Sequence, residues 1–220
     1  NVFSGRINIQ STDDCINAAN ADLSGYSYEL NIFGGTITAH SDSGDGFDSN
    51  GDLTISGGYV TVWTANTADN EPLDADGTVT VSGGTVLAAG GSGGMGMSLA
   101  AAQPCVIFGG TTEMPGENVQ NGQPGAGGQP DGKEPSSGEE RPDGEERPAQ
   151  GGFSGASLLT QNNSFTIANS DGAVLYTGEV VYNASFVFFS SADLSDGESY
   201  TLTSGETQTE STAQIGTVSI

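Results

Sequence analysis

Hydrophobic and polar positions alternate in short runs along the first half of the chain, and the runs come in pairs. Leu30-Asn31-Ile32-Phe33, Leu53-Thr54-Ile55-Ser56 and Val79-Thr80-Val81-Ser82 lead into Gly34-Gly35, Gly57-Gly58 and Gly83-Gly84. Ser4-Gly5 holds the matching place before them, and successive pairs are 30, 23 and 26 residues apart. Arg6-Ile7-Asn8-Ile9, Thr36-Ile37-Thr38-Ala39, Tyr59-Val60-Thr61-Val62 and Thr85-Val86-Leu87-Ala88 follow the pairs. Period-two alternation rich in Thr, Val and Ile is a strand signature. Each unit therefore reads as strand, small-residue corner, strand and polar turn. Units of this length suit a parallel β-solenoid, in which each unit bonds to the last at about 4.8 Å and inward side chains form ladders. The expectation for residues 1–112 is a set of such stacked coils.

The turns align as well. Asp14-Cys15-Ile16-Asn17 matches Asp45-Gly46-Phe47-Asp48, then Glu71-Pro72-Leu73-Asp74, then Met97-Ser98-Leu99-Ala100. Ile16, Phe47, Leu73 and Leu99 are expected to form one inward ladder. Asp14, Asp45 and Glu71 form an outer column, and Asn17, Asp48 and Asp74 a second. On this alignment the fourth unit loses both columns. Beyond the repeats, residues 113–152 carry six of the eight prolines, ten of the glycines and nine acids, and read as a disordered acidic linker or excursion. In residues 153–220, strands are expected near Ser164–Ala168, Val174–Thr177, Ser185–Ser190, Tyr200–Thr203 and Ile215–Ile220, with turns at Ser170-Asp171-Gly172 and Ser195-Asp196-Gly197. They form a small antiparallel β cap over the open end of the solenoid, and Cys105–Phe108 is a candidate for one more of its strands.

Charge narrows the function. The chain of 220 residues has 28 acids and four Lys or Arg, a formal charge of −24. Nucleic-acid binding is excluded as a reading, because phosphate contacts need clustered bases. No apolar run reaches the ~20 residues of a membrane-spanning helix. No leader is visible ahead of Asn1, which reads as the start of a fragment with upstream coils removed. Cys15 and Cys105 read as small buried residues rather than a disulfide or zinc pair.

The runs Asp45-Gly46-Phe47-Asp48-Ser49-Asn50-Gly51-Asp52 and Pro72-Leu73-Asp74-Ala75-Asp76-Gly77, each continuing through a strand to a Gly-Gly pair, resemble the repeat of a bacterial secreted carbohydrate-binding family. Asp193-Leu194-Ser195-Asp196-Gly197 through Leu202 resembles its closing hairpin. The resemblance covers about residues 3–112 and 153–205, and the acidic segment between them departs from it. It implies a polysaccharide-lyase-like right-handed parallel β-helix, binding of cellulose and acidic sugars, and bound calcium.

The residues make calcium reasonable on their own terms. Like charges stacked about 4.8 Å apart repel unless something neutralises them, and no Lys or Arg lies along these columns. Calcium takes six to eight oxygens in loose geometry. Asp14, Asn17, Asp45, Asp48, Glu71, Asp74 and Asp76 are the candidate ligands. The alternative is a solvated acidic edge of turn-favouring residues. Calcium would also let a negative surface hold uronic acids by bridging carboxylates. Neutral glucans need aromatic faces instead, and the candidates are Tyr59 and Trp63, on one side of one strand, with Tyr26 and Tyr28.

Catalysis finds little support. A lyase of this fold needs a base, and Arg6 is the only one in the coils. Carboxylates such as Asp13, Asp14, Asp45 and Asp48 recur where a unique hydrolase site should not. His40 reads as a surface residue near Asp42. The reading is a non-catalytic, calcium-dependent polysaccharide-binding module outside a bacterial cell or on its surface, for polygalacturonate-like acidic chains or cellulose-like glucans. The alternatives are a structural surface or adhesin module with a protein partner, and a degenerate pectate lyase.

Overall fold

The computed structural model describes residues 1–19, 25–65, 70–91, 98–110 and 157–219. The acidic segment expected over 113–152 lies outside them, as does Met97. The described residues form fourteen strands. Those of the first half are β1 (Arg6–Ser11), β2 (Ile16–Ala18), β3 (Glu29–Ile32), β4 (Thr36–Ser41), β5 (Phe47–Ser49), β6 (Asp52–Thr64), β7 (Val79–Gly90) and β8 (Ser98–Gly109). Those of the second are β9 (Ser164–Asn169), β10 (Val174–Glu179), β11 (Phe186–Ser190), β12 (Ser199–Ser204), β13 (Thr207–Thr212) and β14 (Gln214–Ser219).

The repeats stack in the register their alignment demands. Thr36 of β4 sits between Arg6 of β1 and Tyr59 of β6, and Tyr59 pairs onward with Thr85 of β7, all parallel. Because side chains alternate along each strand, this register sends Ile37, Val60 and Val86 inward together, and Ala39, Val62 and Ala88 beside them. Ahead of the corners, Leu30, Leu53 and Val79 form one buried column and Ile32, Ile55 and Val81 another. Gly5, Gly35, Gly58 and Gly84 carry the corners at φ of 105°, 101°, 95° and 87°, a region only glycine enters without strain.

The fold is all-β, but the right-handed parallel β-helix followed by a separate antiparallel unit is corrected. The large sheet is mixed, in the order β1-β4-β6-β7-β11-β8-β14, with β3 paired to β6. β7 and β8 pair directly only over Val79–Val81. Past their corners they part, and β11 lies between them, antiparallel to both: Phe188 registers with Ala88 on one side and Ile107 on the other. β14 closes the far edge, antiparallel to β8. The physical reason is the composition of β11, Phe186-Val187-Phe188-Phe189-Ser190, which is buried at every position. A strand apolar on both faces cannot cap an end with one side in water; it needs two paired neighbours and two covered faces.

A second, four-stranded antiparallel sheet runs β10-β9-β12-β13, and a two-stranded parallel sheet joins β2 to β5. The strands on either side of residues 111–156 gather in one compact unit. Two apolar cores result. The first lies inside the repeats; the second gathers Trp63, Leu87 and Ala89 with Phe165, Ile167, Tyr176, Tyr200 and Leu202 of the antiparallel sheet. No helix of the described residues is long and apolar enough to cross a membrane.

Candidate functional site

Two surfaces carry the candidate residues, and the turns build the first. Ile16 registers with Phe47, and Phe47 bridges to Leu73, so these three form an inward ladder. Leu99 does not continue it, because it registers with Val79. The fourth turn is therefore displaced from the sequence alignment, and Ala100, paired with Thr80, has no place in the acidic column. The columns end at Glu71 and Asp74, which line an open cleft of about 310 Å³ with Leu73, Ala75, Gly77, Val79 and Ser98.

Within the columns the carboxylates already have donors. The backbone N–H of Asp45 donates to Asp14 Oδ1 at 2.9 Å, and that of Glu71 to Asp45 Oδ1 at 2.7 Å. Asn17 Nδ2 donates to Asp14 Oδ2 at 2.7 Å and to Asp48 Oδ2 at 2.9 Å. Asn50 Nδ2 donates to Asp76 Oδ2 at 3.1 Å, and the Thr78 N–H to Asp52 Oδ1 at 2.8 Å. Each unit thus holds the acid of the previous one with its own amide hydrogen, a ladder that the repeat spacing makes possible and that sequence reasoning missed. The donor set is all oxygen and amide, which suits calcium chemically. Yet among the described residues no three His, Cys, Asp or Glu side chains converge to hold a metal ion. Asn17 fills the space between Asp14 and Asp48 with a donor rather than a ligand.

The electrostatic strain that remains is centred on Asp45. Burial, then the charges of Asp74, Asp14 and Asp48, push its carboxyl up to about 6 against the pull of the Glu71 amide. Burial and the carboxylates of Asp14, Asp74 and Asp76 raise Asp48 in the same direction. The unfolded chain titrates near the ordinary value, so the folded chain holds the extra proton between about pH 4 and pH 6. Stability from this source is full below that window and lost as pH rises through about 6. In metal-free buffer the melting temperature should rise on acidification from pH 7 to pH 5. Asp45→Asn, which keeps an oxygen for the Glu71 amide, should flatten that rise in thermal melts.

The corners and the antiparallel sheet build the second surface. Tyr59 follows Gly58 directly and points outward, 43% exposed. Tyr176 of β10 stacks against it, with ring centroids 6.2 Å apart and planes 13° apart. Tyr176 is itself held by Phe165 and Phe189 at 5.7 and 5.3 Å, and its hydroxyl lies 3.5 Å from that of Thr61. Tyr59 is therefore held by a buried ring and still partly exposed. Beside it, Thr36, Thr38 and His40 line the outer side of β4, and Arg6, Asn8 and Gln10 that of β1. Tyr182 closes this shelf, edge-on to His40 at 6.5 Å and donating its hydroxyl to Asp42. Burial lowers the His40 pKa below its ordinary value despite Asp42.

Trp63 is a correction. It is 2% exposed and meets Phe165 edge-on at 6.0 Å, because the antiparallel sheet covers the outer face of β6 there. It offers no face to a sugar. Tyr26 is 70% exposed and Tyr28 half-buried, but both lie ahead of β3, where the Tyr28 backbone approaches Gly51, before the corner that Tyr59 follows. The structure does not bring them together with Tyr59. Sequence reasoning missed Tyr176 on β10 and Tyr182 in the connection from β10 to β11, since neither position holds a local sign of its partner. It also missed the exposed parallel stack of Phe3 on Phe33, centroids 5.0 Å apart. That stack was signalled, since each residue stands immediately before a corner pair. Burial lifts the Cys15 thiol to about 11, aided by Asp14, and the Cys105 thiol to about 12, which disfavours the thiolate at both.

An exposed tyrosine held by a second ring on a shelf of hydroxyls and amides is what a sugar-binding surface needs, one apolar ring face with polar edges around it. The family model described as carbohydrate-binding domain-containing protein matches residues 1–197. The chain belongs to this family. Carbohydrate binding is accordingly the activity to be placed on this carbohydrate-binding domain. No curated protein and no solved structure matches it.

Proposed function

We propose that the chain is a non-catalytic polysaccharide-binding module working outside a bacterial cell or on its surface, and that it receives sugar rings on the open face of Tyr59. The Tyr59–Tyr176 stack carries this reading. A pyranose presents an apolar patch of C–H groups, and a pre-fixed ring meets it without the entropy cost of ordering a mobile one. Thr36, Thr38, Asn8 and Gln10 supply donors and acceptors for ring hydroxyls. Both cellulose-like glucans and acidic chains such as polygalacturonate present such a face. The test is retention on cellulose and on polygalacturonate, each with calcium and with EDTA. Tyr59→Ala should weaken binding about tenfold, ~1.4 kcal/mol, while leaving the melt within a few degrees. Unchanged retention would move the sugar off this shelf and favour a structural module with a protein partner.

Calcium is a second reading, and it concerns the acidic edge rather than the sugar contact. The observation behind it is the like-charge crowding at Asp45, with Asp48, Glu71 and Asp74 as its neighbours. The side chains do not converge into a cage, so no contact between sugar and protein is routed through an ion here. A cation bound only by the folded state would raise its stability by mass action. EDTA should then lower the melting temperature, and Asp48→Ala or Asp74→Ala should abolish the shift. A melt that EDTA leaves unchanged removes calcium from the account.

A further inference from the structure

Acids are unevenly placed on this surface. β1, β4 and the part of β6 after its corner read Arg6-Ile7-Asn8-Ile9-Gln10-Ser11, Thr36-Ile37-Thr38-Ala39-His40-Ser41 and Tyr59-Val60-Thr61-Val62-Trp63-Thr64. None of these 18 positions is an Asp or Glu, in a chain that has 28. The acids flank the strands instead, at Asp13, Asp14, Asp42 and Asp45 in the turns and at Asp52 before the corner. The same face holds Arg6, the only Lys or Arg among the described residues. Its side chain is exposed and has no ion pair with a described residue.

Register fixes where Arg6 stands. Arg6, Thr36 and Tyr59 are successive members of one column, so Arg6 and Tyr59 share the outer face two strands apart, about 10 Å. We infer that Arg6 is the specificity residue of this shelf, pairing with the carboxylate of a uronic acid in a chain whose neighbouring ring stacks on Tyr59. This rests on the reading that Tyr59 receives sugar. Arginine suits the role, because its planar fork donates two parallel hydrogen bonds to one carboxylate. His40, neutral at pH 7 on the same shelf, adds no competing charge. A chain of charge −24 otherwise repels uronates; a face cleared of acids, with one cation at the start of its outermost strand, is where that repulsion is weakest. The contact needs no metal.

The test is titration of the whole chain with oligogalacturonate and with a neutral gluco-oligosaccharide of equal length, both in EDTA. Arg6→Gln should weaken oligogalacturonate about fivefold and leave the neutral sugar unchanged, as expected for an exposed charge pair. Arg6→Lys should recover part of the loss, and 0.5 M salt should erase the difference between wild type and Arg6→Gln. Equal affinity of Arg6→Gln and wild type for oligogalacturonate overturns the inference, as does a wild type that holds oligogalacturonate only when calcium is restored. Tyr59→Ala separates the two levels. If it weakens both sugars while Arg6→Gln changes neither, the Tyr59 reading stands and Arg6 falls. If the wild type binds neither sugar, both fall.

Discussion

Phe188→Ala should cost about 3–5 kcal/mol and lower the melting temperature by roughly 10 °C. Phe188 is fully buried at the centre of β11, the strand wedged between β7 and β8. Truncating a buried phenylalanine loses its transfer free energy and leaves a cavity that a close-packed interior cannot refill. The position adds to the cost. Phe186 and Phe188 pack into the core of the repeats, while Val187 and Phe189 on the opposite face pack into the core under the antiparallel sheet. β11 is thus the member both cores share, and Phe189 is one of the rings that hold Tyr176 behind Tyr59. The measurement is a pair of melts. Trp63, the only tryptophan of the chain, lies in the second core, so its fluorescence reports there, whereas far-UV circular dichroism reports all strands. Both transitions should fall together in Phe188→Ala. A fluorescence transition left at the wild-type temperature would show that β11 does not couple the cores. Phe188→Leu should recover most of the loss.

That insertion is also where the sequence was least legible. The repeat, its corners and the Thr36–Tyr59–Thr85 register are local facts, because period-two alternation lets a strand slip only by turning its apolar face to water. The order of the acidic columns from Asp14 to Glu71 follows in the same way. β11 announces itself as a strand buried on both faces, but nothing in Phe186–Ser190 says that its partners are Val86–Gly90 and Cys105–Gly109, both far earlier in the chain. The fourth turn was misplaced for a related reason: apolar Leu99 fits the place of Leu73 in the pattern as well as that of Val79, and only pairing decides. Trp63 did carry a readable sign. Outward positions change from Asn8, Gln10, Thr38 and His40 to Trp63, Leu87 and Ala89, an apolar drift that marks the arrival of a covering sheet. For the acidic edge, the positions were legible but their neutralisation was not, since backbone amide donors of the next unit leave no trace in residue type.

Gly58→Ala is the second large effect expected, and it links the fold to the Tyr59 shelf through one atom. Gly58 has φ of 95°, where a side chain costs roughly 1–2 kcal/mol in backbone strain alone. A Cβ there would also stand 2.8 Å from the Gly35 carbonyl oxygen and 3.0 Å from the Gly34 carbonyl carbon. Both are backbone atoms of the preceding corner, locked into the ladder by the bond from the Tyr59 amide to that same Gly35 oxygen at 2.8 Å. Neither can yield without opening the stack. The sum is about 3 kcal/mol or more, a loss of roughly 6–12 °C in melting temperature. Gly172 is the control: its φ is 81°, but a Cβ there meets nothing within 4 Å, so Gly172→Ala should cost only the strain, about 1 kcal/mol. The difference between the two variants isolates the close approach of successive corners. Because Tyr59 is the next residue, Gly58→Ala should also weaken glucan retention at temperatures where it is still folded, whereas Gly172→Ala should not. A Gly58→Ala chain that melts like Gly172→Ala would mean that the corners stand farther apart than the repeat register requires.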